Sequence, residues 1–419
     1  MSTRRPLYGW LVSEAVSITG TRISMIALPW FVLTTTGSAE KTGLVALAEM
    51  LPMVLLKVLG GPVIDRLGPR RVSITCDLLS VLVVGSIPLL HEAGHLSFPG
   101  FLLLVALTGA LRGPGDGAKH ALVPFLVDAA GVPMERATGL GSTVERGASM
   151  LGAALAGGLI AVVGPTNALI VDAGSFLVSA AVLAWATRGV GGRAAREEGA
   201  GEPAYLRQLA EGWRFLRGDR LLLGIAVMVA LTNCLDIAWA AVMVPVWARE
   251  YGGGAAAIGL LFAVFSGASV LGAMSAAAWG ERMPRYRTYL VAFLICGAPR
   301  FGVMAFDVPV GWVLVVAVAG GFASGFLNPI LGAVIYERIP TPLVGRVTSL
   351  TTAMCFALMP LGGLLGGALI GAFGLSAAML AAGAAYFLVT MLPAADPAWR
   401  AMDDRPAGAG EGRVPENAL

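Results

Sequence analysis

The sequence predicts an all-α membrane protein with twelve transmembrane helices in two pseudo-symmetric six-helix bundles. Three observations lead there. Hydrophobic residues make up 57% of the 419-residue chain and charged residues only 13%, where a soluble domain carries about 25% charge. Mean hydropathy is +0.78. The apolar residues form runs long enough to cross a bilayer, and Lys and Arg gather on alternate sides of those runs. Twelve spans of about 21 residues take roughly 250 residues, so a large soluble catalytic domain has no room. The net charge is +3. No basic tract stands apart from membrane ends, so nucleic acid is not an expected partner.

Taken in order, the expected spans are 8–33, 42–60, 72–90, 98–118, 139–163, 168–187, 221–246, 255–279, 288–306, 310–331, 347–370 and 375–392. The first is too long for a signal-peptide apolar region and lacks a small-residue cleavage site, so it reads as a retained span. Glycines recur within the spans, at Gly152, Gly157, Gly158, Gly267, Gly272, Gly362, Gly363, Gly366 and Gly367. In water they would argue against helices; in a bilayer small residues let helices approach closely. The four cysteines lie far apart in apolar stretches with no CxxC spacing, so neither a disulfide framework nor a zinc site is expected.

With the N-terminus inside, the inner segments hold 23 of the 29 basic residues, and the outer loops hold Lys41 and Arg249. Arg22, Arg112, Arg146 and Arg300 lie within spans. This asymmetry sets the orientation and supports an even number of spans, because both termini come out cytoplasmic. The polar stretch 188–220 is a cytoplasmic linker whose end, Tyr205–Arg220, reads as an amphipathic surface helix. It separates an N-terminal bundle, 1–187, from a C-terminal bundle, 221–393. The tail, 394–419, is rich in Pro, Gly, Ala and acidic residues and is expected to be disordered.

The two bundles echo each other. Arg136-Ala137-Thr138-Gly139-Leu140 before span five matches Arg346-Val347-Thr348-Ser349-Leu350 before span eleven, 210 positions later. Asp65-Arg66-Leu67-Gly68-Pro69-Arg70 after span two pairs with Glu281-Arg282-Met283-Pro284-Arg285 after span eight.

The most specific motif lies between spans two and three, running from Gly61 through Asp65, Arg66, Gly68 and Pro69 to Arg70 and Arg71. A generic basic loop explains the arginines but not the aspartate and the two glycines. The run resembles the G-x-x-x-D-R-x-G-R-R pattern of the major facilitator superfamily, with Pro69 as a departure. Gly61 and Gly68 permit close packing and a sharp turn. Asp65 can sit near a helix N-terminus, and Arg66, Arg70 and Arg71 can hold carboxylates or carbonyls, so the cluster is read as a conformational latch. Leu28-Pro29, Thr36-Gly37-Ser38-Ala39, and Gly113 through Lys119 with Leu122-Val123-Pro124 are similar to the drug:proton antiporter branch that includes macrolide-efflux-like exporters.

That resemblance implies the major facilitator fold and a secondary active exporter of hydrophobic or amphipathic small molecules. It implies proton antiport by alternating access, in the cell inner (plasma) membrane, with the proton gradient as energy source and no cofactor. The expected partners are an amphipathic solute, protons and the lipid bilayer, with the monomer as functional unit. The chain departs from the branch at Gly20-Thr21-Arg22, where an acidic residue often follows the glycine, and in span five, which lacks the Gly-Pro of the antiporter motif.

Charges at membrane depth are costly, so each is a functional candidate. In the superfamily the first, fourth, seventh and tenth spans line the cavity. Mapped here, they carry Glu14, Arg22, Arg112, Asp116, Asn233, Asp236 and Asn328. Arg112 and Asp116 are one helical turn apart, a candidate ion pair, although Pro114 and two adjacent glycines interrupt that turn. Asp236, alone in its apolar run, is the leading proton carrier, with Glu14 and Asp116 next. A carboxylate in a dry helix interior gains and loses a proton as its surroundings change, and Arg22 and Arg112 could reset it. Trp30, Phe31, Trp239, Phe322 and Phe326 could wall the cavity. Glu49, Asp172 and Arg300 are read as packing partners or lip residues.

One enzymatic pattern is present. His91-Glu92-Ala93-Gly94-His95 matches the zinc-protease H-E-x-x-H, which needs both histidines on one face of a stable helix plus a third ligand. It follows Pro88 in a short outer loop and contains Gly94, so no metal site and no enzymatic activity are expected. No P-loop pattern occurs, so ATP-driven pumping is unsupported. The alternative to an exporter is an importer or facilitator of a small polar metabolite, but the spans offer few Asn and Gln for it.

Overall fold

The computed structural model describes residues 4–190, 202–279, 282–340 and 343–404. Arg193, Arg196, Arg405 and Arg413 of the inner basic set, Glu281 of the second echo, and the disorder expected beyond residue 404, lie outside the described residues. So do the side chains of Arg207 and Arg346.

The described chain is helical. The N-terminal half comprises α1 (Arg5–Thr36), α2 (Ala39–Leu59), α3 (Gly61–Leu67), α4 (Pro69–Glu92), α5 (Phe98–Ala121), α6 (Val123–Ala130), α7 (Met134–Val163) and α8 (Pro165–Ala186). Helix α9 (Glu202–Gly218) follows. The C-terminal half comprises α10 (Arg220–Ala238), a π-helical turn (Trp239–Met243), α11 (Val244–Glu250), α12 (Gly254–Trp279), α13 (Arg285–Cys296), α14 (Ala298–Met304), α15 (Val310–Arg338), α16 (Val344–Ala357) and α17 (Met359–Met391).

Nine helical stretches among the described residues are long and apolar enough to cross a membrane, and the bent pair Ala39–Lys57 and Gly61–Leu67 makes ten. One stretch, Val347–Ala395, contains a reversal at Gly374 (φ 77, ψ 169). A further apolar pair, α13 and α14, is broken at Gly297 (φ −83, ψ −102). Counted this way, the helices follow the twelve apolar runs of the sequence.

The turn between α7 and α8 is made by Gly164 (φ 84, ψ 162), 210 positions before Gly374. Both glycines occupy a backbone region that is essentially glycine-only. The same turn therefore recurs at the offset of the first sequence echo.

The halves meet along two seams, α2 against α17 and α7 against α12. The tight glycine approaches across them all lie at one end of the bundle, the end that carries the α1–α2 and α7–α8 turns. A methyl built on Gly157 would sit 2.6 Å from Gly259 Cα, and one on Gly371 2.5 Å from Glu40 Oε1. Gly43 lies directly against the Gly363 carbonyl, and Arg249 Nη1 donates to the Leu33 carbonyl at 3.2 Å. Toward the other end Asp116, Glu145, Arg146 and Asn328 are exposed, although they belong to membrane-length helices. The bundle is thus closed at one end and carries exposed polar side chains toward the other.

The described start of the tail, up to residue 404, is ordered where composition suggested disorder. Residues Leu392–Ala395 and Pro397–Met402 form two 3-10 turns. Trp399 is 4% exposed and Met402 fully buried. The Trp399 ring lies 5.4 Å from that of Tyr289 and fills the space beside Gly224. Asp403 accepts the Tyr286 amide at 3.0 Å. Composition suggested disorder, but one Trp and one Met find a docking site on α10 and α13, and burying them offsets the ordering of this short stretch.

Candidate transport cavity

A cavity of about 150 Å³ lies between the halves, beneath the closed end. Its walls are mainly apolar, with Met25 and Ile26 of α1, Ala153 of α7, Ile237 of α10 and Phe262 of α12. Three polar groups face it: Arg22, Glu49 and Ser149. Ala240 and Ala241 of the π-helical turn complete one side. A π turn carries one extra residue and recurs at functional sites.

Arg22 Nε donates to Ser149 Oγ at 3.2 Å, tying α1 to α7. Glu49 pairs with Arg112, each side chain only 5% exposed. Helix α5 supplies the reason. Gly109 lies against the Glu49 carbonyl, and Gly113 leaves room for the Lys57 amide. These glycines, one turn apart, bring the α5 backbone onto α2 and set Arg112 beside Glu49. Arg112 therefore does not pair with Asp116, as its spacing suggested. Asp116 is exposed, and its carbonyl lies 2.8 Å from His120 Nδ1.

A second buried cluster occupies the N-terminal half. Lys119, counted in the sequence among the inner-face cations, is 1% exposed. Its ammonium lies 3.1 Å from Asp77 Oδ2 and donates to Ser17 Oγ at 2.9 Å and Ser179 Oγ at 3.2 Å. Ser179 donates to Asp77 at 2.7 Å, and Trp10 Nε1 donates to the Lys119 carbonyl at 3.1 Å. Glu14, one turn after Trp10, is 8% exposed. Its Oε1 is buried with no hydrogen-bond partner among the described residues. Asp172 accepts from Ser24, whose hydroxyl reaches it where α1 packs on α8.

In the C-terminal half Asp236 is not alone. It pairs with Arg300 of α14. The Arg300 guanidinium lies 4.7 Å from the Trp239 ring, 5.0 Å from Phe301 and 4.9 Å from Tyr386, a cation–π arrangement. Arg300 is 9% exposed, a core residue and not a lip residue. The break at Gly297 aims α14 toward Asp236. Two residues far apart in sequence carry no signal of that pairing.

The aromatic wall also differs from expectation. Trp239 is buried behind Phe262, ring centroids 5.7 Å apart. Trp30 lies against Gly254 at the closed end, and Phe31 packs on Phe101 and His91. Phe322 and Phe326 line a separate groove between α13 and α15. Both follow helix faces that the apolar composition leaves undistinguished. Asn233 Nδ2 donates to the Cys355 carbonyl at 2.9 Å, and Asn328 is exposed; neither lines the cavity.

In the expected latch, Gly68 (φ 84) makes the turn, whereas Gly61 faces open space, so no close packing depends on it. Arg70 donates to Thr187 Oγ1 at 2.9 Å and to the Ala184 carbonyl at 2.8 Å, on the last turn of α8. Asp65, Arg66 and Arg71 are exposed. An engaged latch would bury Asp65 in the alternative conformation. Asp65→Asn is then expected to lower transport turnover several-fold, on the scale of a coupling of about 1 kcal/mol, with folding intact. Unchanged turnover in purified vesicles would refute the latch.

The histidine pattern is split. Helix α4 ends at Glu92, and Gly94 takes φ 72, so His91 and His95 do not share a helix face.

The family described as transmembrane secretion effector, of the major facilitator superfamily, matches residues 5–409. The chain is 29% identical to the multidrug efflux pump Tap of Mycobacterium tuberculosis, over 98% of this chain and 99% of that one. It is 30% identical to Tap of Mycolicibacterium fortuitum, over 96% and 98%, and 22% identical to macrolide efflux protein A of Streptococcus pyogenes, over 83% and 85%. Among solved structures, the nucleoside transporter NupG superposes with a TM-score of 0.75 at 13% identity, covering 95% of this chain and all of that one.

Proposed function

Because the chain belongs to the transmembrane secretion effector family of the major facilitator superfamily, we propose that it exports hydrophobic or amphipathic small molecules in exchange for protons. The observation that carries this reading is the cavity between the halves. Its walls are mainly apolar, with one cation (Arg22) and one paired carboxylate (Glu49). Such a site takes up apolar area and sorts solutes by charge; an importer of sugars or acids needs several convergent polar groups. The relatives named as multidrug and macrolide efflux proteins support the direction. The cycle is alternating access by rocking of two halves around a midplane site. The monomer works in the inner (plasma) membrane with both termini cytoplasmic, as the distribution of Lys and Arg favours.

The candidates for the proton carrier are Asp236, Glu14 and Asp116, of which we place Glu14 first. Asp236 is engaged by Arg300, and Asp116 is exposed. Glu14 alone combines burial with an unpartnered oxygen. A proton on Glu14 removes the cost of an unpaired buried charge, and its release would follow wetting of the inner half. No cofactor takes part.

Two measurements test this. A growth-inhibition panel in an efflux-deficient host, with and without the gene, should reveal protection against amphipathic inhibitors; protection against none sinks the export reading. In proteoliposomes, substrate-driven proton flux should be lost in Glu14→Gln and retained in Asp116→Asn. Parent protein with no pH-gradient dependence would remove antiport.

A further inference from the structure

A second cleft, of about 600 Å³, opens at the end of the bundle opposite the closed one, outside the central cavity. Four segments build it. They are the end of α9, the start of α10, the end of α15 and the ordered tail at Ala398 and Ala401. Three arginines, Arg214, Arg220 and Arg338, and one carboxylate, Asp219, face it.

The charge balance is what distinguishes this cleft. Asp219 is fully engaged. Its Oδ1 caps α10 by accepting the Leu221 and Leu222 amides at 3.0 and 3.1 Å. Its Oδ2 accepts Arg338 Nε at 2.9 Å. Arg214 and Arg220 are exposed and make no ion pair among the described residues. Two guanidiniums from different helices therefore face one recess with no carboxylate paired to either among the described residues. Guanidinium groups favour phosphate through paired donors. Trp213, beside Arg214, is 43% exposed, and Trp is a residue type enriched where a membrane meets water. Leu216 and Leu222 bury the opposite face against Ile339 and Val347.

We propose that this cleft binds a phosphate group, and that in the membrane the group is the headgroup of an anionic phospholipid. Its occupant would tie the linker helix and the tail to the C-terminal half. The inference does not rest on the direction of transport or on the coupling ion.

The test uses delipidated full-length protein in detergent, with lipid binding read by native mass spectrometry. Phosphatidylglycerol is the probe and phosphatidylcholine the zwitterionic control. The Arg214→Gln/Arg220→Gln variant is expected to bind phosphatidylglycerol roughly 10- to 30-fold more weakly, since each arginine near an anionic surface contributes roughly 3- to 5-fold and the two multiply. Arg217→Gln, on the same helix but outside the cleft, should bind like the parent. Glycerol phosphate supplies the second arm. If it binds with the same dependence on Arg214 and Arg220 and matches the lipid in affinity, the phosphate site stands and its source is a soluble ester. Equal phosphatidylglycerol binding by the double variant and the parent overturns the proposal. So does an Arg217→Gln loss as large as that of the double variant, because binding would then reflect only the charge of the helix surface.

Discussion

Lys119→Met is expected to destabilise the protein by about 3–5 kcal/mol, the usual cost of stranding one member of a buried ion pair. Lys119 is the hub of a cluster with Asp77, Ser17 and Ser179. Removing its ammonium leaves the Asp77 carboxylate, 3% exposed, with Ser179 as its remaining donor. The companion variant Lys119→Met/Asp77→Leu removes both charges and should recover most of the loss, because a buried pair is often replaced by apolar groups at little net cost. Unfolding in mixed detergent micelles reads both. A single variant as stable as the parent would show that Lys119 is hydrated and not buried. A double variant as weak as the single would show that the serines, not the charge pair, hold the cluster.

The second large effect concerns the closed end. Gly157→Leu is expected to slow transport by about 5- to 150-fold, the population shift that corresponds to an overpacking cost of roughly 1–3 kcal/mol. Gly157 packs against Gly259 with no room for a β-carbon. A leucine there must push α7 from α12 and disfavour the state in which this end is shut. A cycle that visits both states slows when one becomes rare. The neighbouring Gly158 is the internal control, since nothing lies within 4 Å of a methyl built on it. Gly158→Leu in the same helix should transport like the parent. Turnover in vesicles, together with reagent accessibility of a cysteine at the α1–α2 turn, decides the matter. Equal turnover of the two variants would mean that the α7–α12 seam does not open in the cycle.

What the sequence alone determined follows from local chemistry. Spanning length, the scarcity of charge and the gathering of Lys and Arg fix twelve apolar segments and their alternation, because a bilayer tests each segment separately. The duplication was legible in Arg136–Leu140 and Arg346–Leu350, and the Gly164 and Gly374 turns repeat it in the backbone. The family was legible in the loop from Gly61 to Arg71, a contiguous motif.

Partnership was not legible. Asp236 looked solitary until α14 brought Arg300 beside it, and Arg112 looked paired one turn away with Asp116 until Gly109 and Gly113 drew α2 and Glu49 closer. Lys119 looked like one more inner-face cation, and Trp399 like part of a disordered tail. In each case the deciding neighbour lies on another helix, tens of residues or more away. Within membrane segments that are apolar on all sides, no periodicity marks which face meets which helix. Charges buried there find whatever partner the helix packing supplies, since an unpaired charge in that medium is the costliest arrangement available. Only the tertiary structure, through the small residues that set how closely helices approach, decided which partner that is.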